Sequence, residues 1–354
     1  MTVYTSSTSR SSNRLLSLPS ELRRNIYQYT FPDQVHLRCQ DGITRISRCV
    51  QPYEDRHSPR NWNHGGWERK SHTEISCRRD PILGRRVQST WGPHWKCEEH
   101  AHIEDEEMTQ VTSLLRSCKD MFVDIVDQLC GIAVLHITDL ETIDYIVQCA
   151  NNTSGELRMA ALLSNRISRL HMTLRLPLHF YQSLESAGGS EMEPGPTAIA
   201  KKWQQLGSNL SQMAQLRKLH LWLDHDDICS WSTLNEHAIV QPIISQLRDS
   251  GLEITLALPN LHPLLESETR HFIRHPPSNT FLCRNARQHV HVAVKDGRPQ
   301  IVYSRDFPVL RFSLEYHDQP IDEVEEVERA MWKEGIDVER WVIETTGNGP
   351  ELDI

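Results

Sequence analysis

Four short apolar segments, alternating with helical stretches, constrain this chain more than any other feature. Ala133–Ile137, Ile167–Leu174, Leu216–Leu223 and Gly251–Leu258 each read as a strand. A helix carrying Leu140, Ile143, Ile146 and Val147, with Asp139 as its cap, follows the first strand. Further helical patterns lie near Ala198 to Gln215 and Thr233 to Ser250. Strands separated by connections of this length cannot pair as hairpins. They run parallel, and their crossovers are right-handed. The expected fold is α/β, a mainly parallel sheet with crossover helices. The second and third strands share L-x-x-L-x-L, with Ile and Met allowed, so a leucine-rich-repeat-like stack is a variant of the same expectation. The spacing of roughly 35 to 50 residues is longer than such repeats usually have.

Two Asp-Gly pairs add hairpins. Val35–Gln40 and Ile43–Val50 flank Asp41-Gly42, and Val290–Val294 and Gln300–Tyr303 flank Asp296-Gly297. Asp-Gly between alternating segments fits a type I′ turn. Val111, Leu114, Leu115, Cys118, Phe122, Ile125, Val126 and Leu129 share one face of a long helix, with Thr109 as its N-cap and Gly131 as its stop. A strand is expected at Val309 to Leu314, and a helix from Ile321 to Lys333 with Val324, Val327 and Met331 inward. Gln51 to Ile103 has no periodicity and reads as a long inserted loop. The expected division is a disordered tail (1–13), two helices with the hairpin and irregular loop between them (14–130), the sheet domain with a flexible loop at 185–197 (131–316), and an acidic C-terminal helix and tail (317–354).

Nine cysteines, odd in number and scattered, fit reduced core thiols, and no stretch reads as a secretory signal or a membrane span. A cytoplasmic or nuclear protein with no membrane partner is expected. From residue 36 to 97 there are twelve Lys/Arg against six Asp/Glu; from 315 to 354 there are thirteen acids against three bases. The basic stretch interleaves Trp62, Trp67, Trp91 and Trp95 with arginines, a pattern suited to single strands of nucleic acid. Its acids and the overall charge of -9 argue against that partner.

Common catalytic and cofactor signatures are absent: there is no phosphate-binding glycine loop, no nucleophile elbow and no H-E-x-x-H. The expectation is a non-enzymatic protein without a cofactor. Two clusters are weak metal candidates. His94, Cys97, His100 and His102 lie within nine residues, but tetrahedral zinc needs three or four N/S ligands, and only one thiol is close. A polar His-rich loop is the reading preferred there. Asp224-His225-Asp226-Asp227 ends the third strand, where parallel sheets place ligand loops. A metal-dependent enzyme using Asp224, His225 and Asp227 is one alternative; an Asp-rich turn that ends a strand is the preferred reading.

Leu15 to Tyr29 reads as a short helix with one apolar stripe. Pro19 suits its first turn, Glu21 falls at N3 if Leu18 is the N-cap, and Leu18, Leu22, Ile26 and Tyr29 share a face. This L-P-x-E-L-x-x-x-I segment, with Leu114–Phe122 further on, resembles fungal F-box-like proteins carrying a domain of unknown function of the DUF7730 type. The resemblance covers Leu15 to about Leu223. It implies that Leu18, Pro19, Leu22 and Ile26 bind a Skp-type adaptor protein of a cullin-type ubiquitin ligase, with an unidentified protein as target. The chain departs from an ordinary F-box in separating its two helices by about eighty residues. It also has Lys119, Asp120 and Asp124 where Arg, any residue and Glu are more usual. A purely structural helix on an α/β scaffold is the alternative.

Overall fold

Alternation within the strands decides which side of the sheet the helices occupy. In the computed structural model, residues 15–40, 42–51, 81–101, 113, 118–151, 159–187, 198–273, 279–287, 290–295, 298–304, 306–310, 316 and 319–346 are described. In chain order these form α1 (Ser20–Thr30), β1 (Gln34–Gln40), β2 (Ile43–Arg48), α2 (Pro81–Gln88), a 3-10 turn (Gly92–His94), α3 (Trp95–His100), α4 (Lys119–Ile132) and β3 (Val134–Ile137). Then come α5 (Leu140–Asn151), α6 (Met159–Ser164), β4 (Arg169–Leu176), α7 (Leu178–Ala187), α8 (Ala198–Ser211) and β5 (Lys218–His225). The remainder is α9 (Glu236–Leu247), β6 (Glu253–Pro259), β7 (Thr280–Asn285), β8 (Val290–Lys295), β9 (Arg298–Tyr303), α10 (Ile321–Lys333) and α11 (Val338–Thr346).

Among the described residues one seven-stranded sheet has the order β2-β1-β3-β4-β5-β6-β7, parallel throughout except for the β1–β2 hairpin. Parallel neighbours follow chain order, so crossovers of one hand lay the crossover helices on one side. Leu135 and Ile137, Leu170, Met172 and Leu174, Leu219, Leu221 and Leu223, and Ile254, Leu256 and Leu258 point to that side. They form one core with Ile143, Ile146, Tyr181, Trp203, Leu206, Ile239 and Ile243 of the helices. The intervening positions carry His136, then His171, Thr173 and Arg175, then His220, Trp222 and Asp224. A sheet covered by helices on both faces would have apolar residues at both sets of positions. Asp139 caps α5 as expected, accepting from the Thr142 amide at 2.6 Å.

The structure amends several expectations. The Asp41-Gly42 hairpin forms, with Gly42 at φ +75°, and β1 pairs with β3, so the hairpin is part of the sheet. The single helix expected from Thr109 does not run through Cys118. That residue is extended (φ -162°, ψ 164°) and caps α4, its sulfur accepting from the Met121 amide; Gly131 lies inside the helix, while Thr109 and residues 114–117 are outside the described residues. The irregular stretch 51–103 contains α2, the 3-10 turn and α3, with Trp91, Trp95 and Cys97 buried. Burial of Trp91 and Trp95 removes them as base-stacking surfaces, and Trp62 and Trp67 lie outside the described residues. Residues 185–187 of the expected loop end α7; 188–197 and the tail 1–13 are outside the described residues.

The β8–β9 hairpin brackets Asp296-Gly297 as expected. No strand forms at Val309 and Leu310, which instead pack with Val324 of α10 and Val338 and Val342 of α11; 311–314 lie outside the described residues. Helix α10 has the expected bounds and buries Val324, with Met331 partly covered, while Val327 is 37% exposed. No helix among the described residues is long and apolar enough to cross a membrane.

Candidate metal centre and docking helix

Helix α1 is held by the side opposite its apolar stripe. Its N-cap is Pro19, one residue later than Leu18, because the missing proline N–H falls where no partner is needed. At 100° per residue, Tyr27 lies opposite Leu18 and Tyr29. Tyr27 is 1% exposed and packs with Phe31, Met121, Ile125 and Leu129. Its hydroxyl donates to Asp124 at 2.7 Å, and Arg23 grips both Asp124 oxygens, Nε to Oδ2 at 2.9 Å and Nη2 to Oδ1 at 3.0 Å. Burial, reinforced by Asp124, raises the Tyr27 pKa well above the ordinary phenol value. Asp124 therefore fastens α1 to α4 in spite of the long insertion between them. The outward face carries Leu22 at 50% and Ile26 at 40% exposure, with Tyr29 and Pro19 exposed and Leu18 partly so.

A second site lies on the other side of the sheet, opposite the crossover helices, at the β1 end. In the hairpin register His36 opposes Ser47. Cys49, two residues beyond Ser47, has its amide bonded to the Gln34 carbonyl at 3.0 Å. Residues two apart on paired strands share a face, so His36 and Cys49 are side by side. Gly92, with φ +53°, turns the chain above them. A Cβ there would stand 2.8 Å from the Trp222 ring, so only glycine fits. The 3-10 turn and α3 then lower His94 and Cys97, three residues apart, onto the pair.

The four ligand atoms of His36, Cys49, His94 and Cys97 lie within 4.8 Å of one another. The Cys49 and Cys97 sulfurs are 3.7 Å apart, and His94 Nδ1 is 3.6 Å from Cys49 and 3.7 Å from Cys97. The two sulfurs share a hydrogen bond. That bond, against the opposing effect of burial and with help from His36 and His94, holds the Cys49 thiol far below its ordinary pKa and Cys97 far above. His36, His94 and Cys97 are buried, and Trp91 stacks on His36 at 4.9 Å.

Sequence reasoning had half of this group. His94 and Cys97 belong to it. His100 is exposed at the end of α3, because each three-residue step falls about 60° short of a helical turn and leaves it about 120° round from His94. His102 lies outside the described residues. The missing thiol, Cys49, lies forty-five residues upstream of His94, and its companion His36 is on the same hairpin. The signal was present: Asp-Gly marks the hairpin in the sequence, and the β1–β2 register makes them neighbours.

His36 also opens a row of imidazoles across the strands. His36, His136, His171 and His220 occupy matched register positions on β1, β3, β4 and β5, with ring centroids 5.0, 5.0 and 4.9 Å apart. The row runs beneath the 3-10 turn, where His94 meets His136 at 4.7 Å.

The Asp224–Asp227 turn is organised around an arginine. Arg287 donates to Asp224 Oδ1 from Nε at 2.8 Å, to the carbonyls of His225 and Asp227 from Nη2, and to that of Cys229 from Nη1. Asp306 lies 3.7 Å from Nη1. The guanidinium occupies the centre of the turn, the place a metal would take in the alternative reading of this segment. His225 is buried against Trp231, and desolvation, aided by Arg287, pulls its pKa down to about 2. A neutral, enclosed imidazole beside a fixed guanidinium is not arranged as a general base at a ligand cleft.

These features define an α/β protein whose mostly parallel sheet has its crossover helices on one side and a histidine-rich surface, capped by residues 81–100, on the other. The chain belongs to the DUF7730 family, a domain of unknown function whose model matches residues 7–273. No curated protein and no solved structure matches it.

Proposed function

We propose that this chain is a non-enzymatic protein-interaction module, an F-box-like substrate-recognition adaptor of a cullin-type ubiquitin ligase, whose α1 docks on a Skp-type adaptor protein. The observation that carries this reading is the outward face of α1: Leu22 and Ile26 are exposed while Tyr27 and Arg23 anchor the helix from behind. A helix kept only for packing would turn its apolar stripe inward. The match of Leu18, Pro19, Glu21, Leu22 and Ile26 to the F-box-like opening supports the choice of partner. At the far end of the sheet, exposed Leu264, Leu265 and Phe281 offer apolar surface to a target.

The test is retention of the purified full chain on an immobilised Skp-type adaptor. Binding is expected, with at least a tenfold loss for Leu22→Asp and Ile26→Asp, each about 2 kcal/mol of lost apolar contact. Leu264→Asp should leave it unchanged. A folded chain that is not retained overturns the reading.

A further inference from the structure

We propose that His36, Cys49, His94 and Cys97 bind a zinc ion as a closed, structural Cys2His2 site that fastens residues 81–100 onto the β1 edge of the sheet. The argument is first one of distances. With Zn–S near 2.3 Å and Zn–N near 2.0–2.1 Å, a tetrahedron has edges of about 3.8 Å between two sulfurs and about 3.6 Å between sulfur and nitrogen. The observed 3.7 Å between Cys49 and Cys97, and 3.6 and 3.7 Å from the sulfurs to His94 Nδ1, are those edges. A disulfide would need its sulfurs at about 2.05 Å, and both residues are free cysteines.

Chemistry and charge lead to the same ion. Two thiolates and two imidazoles are borderline-soft donors, suited to zinc and poorly suited to magnesium or calcium. On binding, Cys97 gives up its proton to solvent, and both sulfurs bind as thiolates as two Zn–S bonds form. Two thiolates then neutralise the dication, so the buried site carries no net charge. Four protein ligands fill the tetrahedron and leave no position for water or substrate, which makes the site structural.

The topology says what the ion would hold. His36 and Cys49 belong to the hairpin, and His94 and Cys97 to the cap that follows residues 52–80. Among the residues whose burial is described, the cap buries Val87, Trp91, Trp95 and Cys97. A metal crosslink would add a covalent-strength tie between cap and hairpin to that packing. This inference is independent of adaptor binding, since α1 is fastened by Asp124 and not by these four residues.

The experiment uses the purified full chain under reducing conditions. Elemental analysis should find one zinc per chain, and replacement by cobalt should give the intense visible bands of tetrahedral cobalt with thiolate charge transfer. Cys97→Ser and Cys49→Ser should lose the metal, whereas Cys118→Ser should retain it. Chelation should speed amide exchange in residues 81–100 without unfolding β4 to β6. A folded wild-type chain that holds no metal and takes up neither zinc nor cobalt would overturn the proposal. So would metal retained by a Cys97→Ser variant, or a Cys49–Cys97 disulfide in the reduced preparation. The wild-type measurements decide the matter even if a variant fails to fold.

Discussion

Two buried polar corners lie on the same side of the sheet and manage charge in different ways. At the β5 end, Asp224 and Asp306 face Arg287, a cation supplied by the chain and 1% exposed. At the β1 end, Cys49, Cys97, His36 and His94 converge on one another, and their spacing fits a cation supplied from outside. The first corner is complete when the chain folds; the second, on our proposal, is complete only when metal binds. The difference teaches that an acid-rich turn is a poor guide to a metal when an arginine from a distant segment can fill it. A single thiol beside a histidine is a better one when a hairpin can deliver the other half.

The largest expected effect comes from breaking the self-contained corner. Arg287→Leu leaves Asp224 and Asp306 buried without their cation and should destabilise the fold by about 3–5 kcal/mol in denaturant titration. Added zinc should not restore it. If zinc did, the two corners would not be independent.

Next in size is the joint between α1 and α4. Asp124→Ala removes the acceptor for Arg23 and Tyr27 and should cost about 2–3 kcal/mol, with loss of adaptor binding. Metal content should stay unchanged, which would separate the docking helix from the Cys/His corner.

Gly92→Ala sharpens the comparison inside the cap. The new methyl meets the Trp222 ring in a left-handed backbone conformation and should cost roughly 1–3 kcal/mol. Zinc affinity should fall with it, because His94 and Cys97 are displaced together. Undiminished zinc affinity would mean that Gly92 does not position the ligands.

The smallest effect concerns a third way of keeping a buried carboxyl. Glu325 accepts from Asn260, and burial, only partly offset by that bond and by Arg329, pushes its pKa up to about 7 from 4.5. The folded state therefore holds a proton that the unfolded state has released. Its contribution is present in full below pH 4.5 and is lost as pH rises through 7. Glu325→Gln should flatten the fall in stability across that window, measured by denaturant midpoint. An unchanged slope would assign it to other groups.

The sequence makes the backbone of this architecture legible because its signals are local. Asp-Gly pairs mark the β1–β2 and β8–β9 hairpins in the sequence, Asp139 caps α5, and Leu170, Met172 and Leu174 alternate with His171 and Thr173 to mark a strand. The bounds of α10 follow from one amphipathic stripe. Less legible is whatever depends on distant pairing. Residues 81–100 show no periodicity because they are held by His36, Trp222 and the hairpin and not by a stripe of their own. Cys118 sits in an apolar pattern that continues straight through it, yet it caps α4. The four proposed ligands split two and two between hairpin and cap, so a search for closely spaced ligands recovers only His94 and Cys97 of them and adds His100 and His102, which are not among the four. Arg287, which fills the Asp224 turn, lies sixty residues downstream of Asp227 and carries no local mark.

The most direct test of the central contrast is X-ray absorption at the zinc edge of the purified full chain. The account predicts two sulfurs at about 2.3 Å and two nitrogens at about 2.0–2.1 Å, with the same shell in an Asp224→Asn variant. A shell of oxygen and nitrogen alone, or one that changes with Asp224, would contradict it.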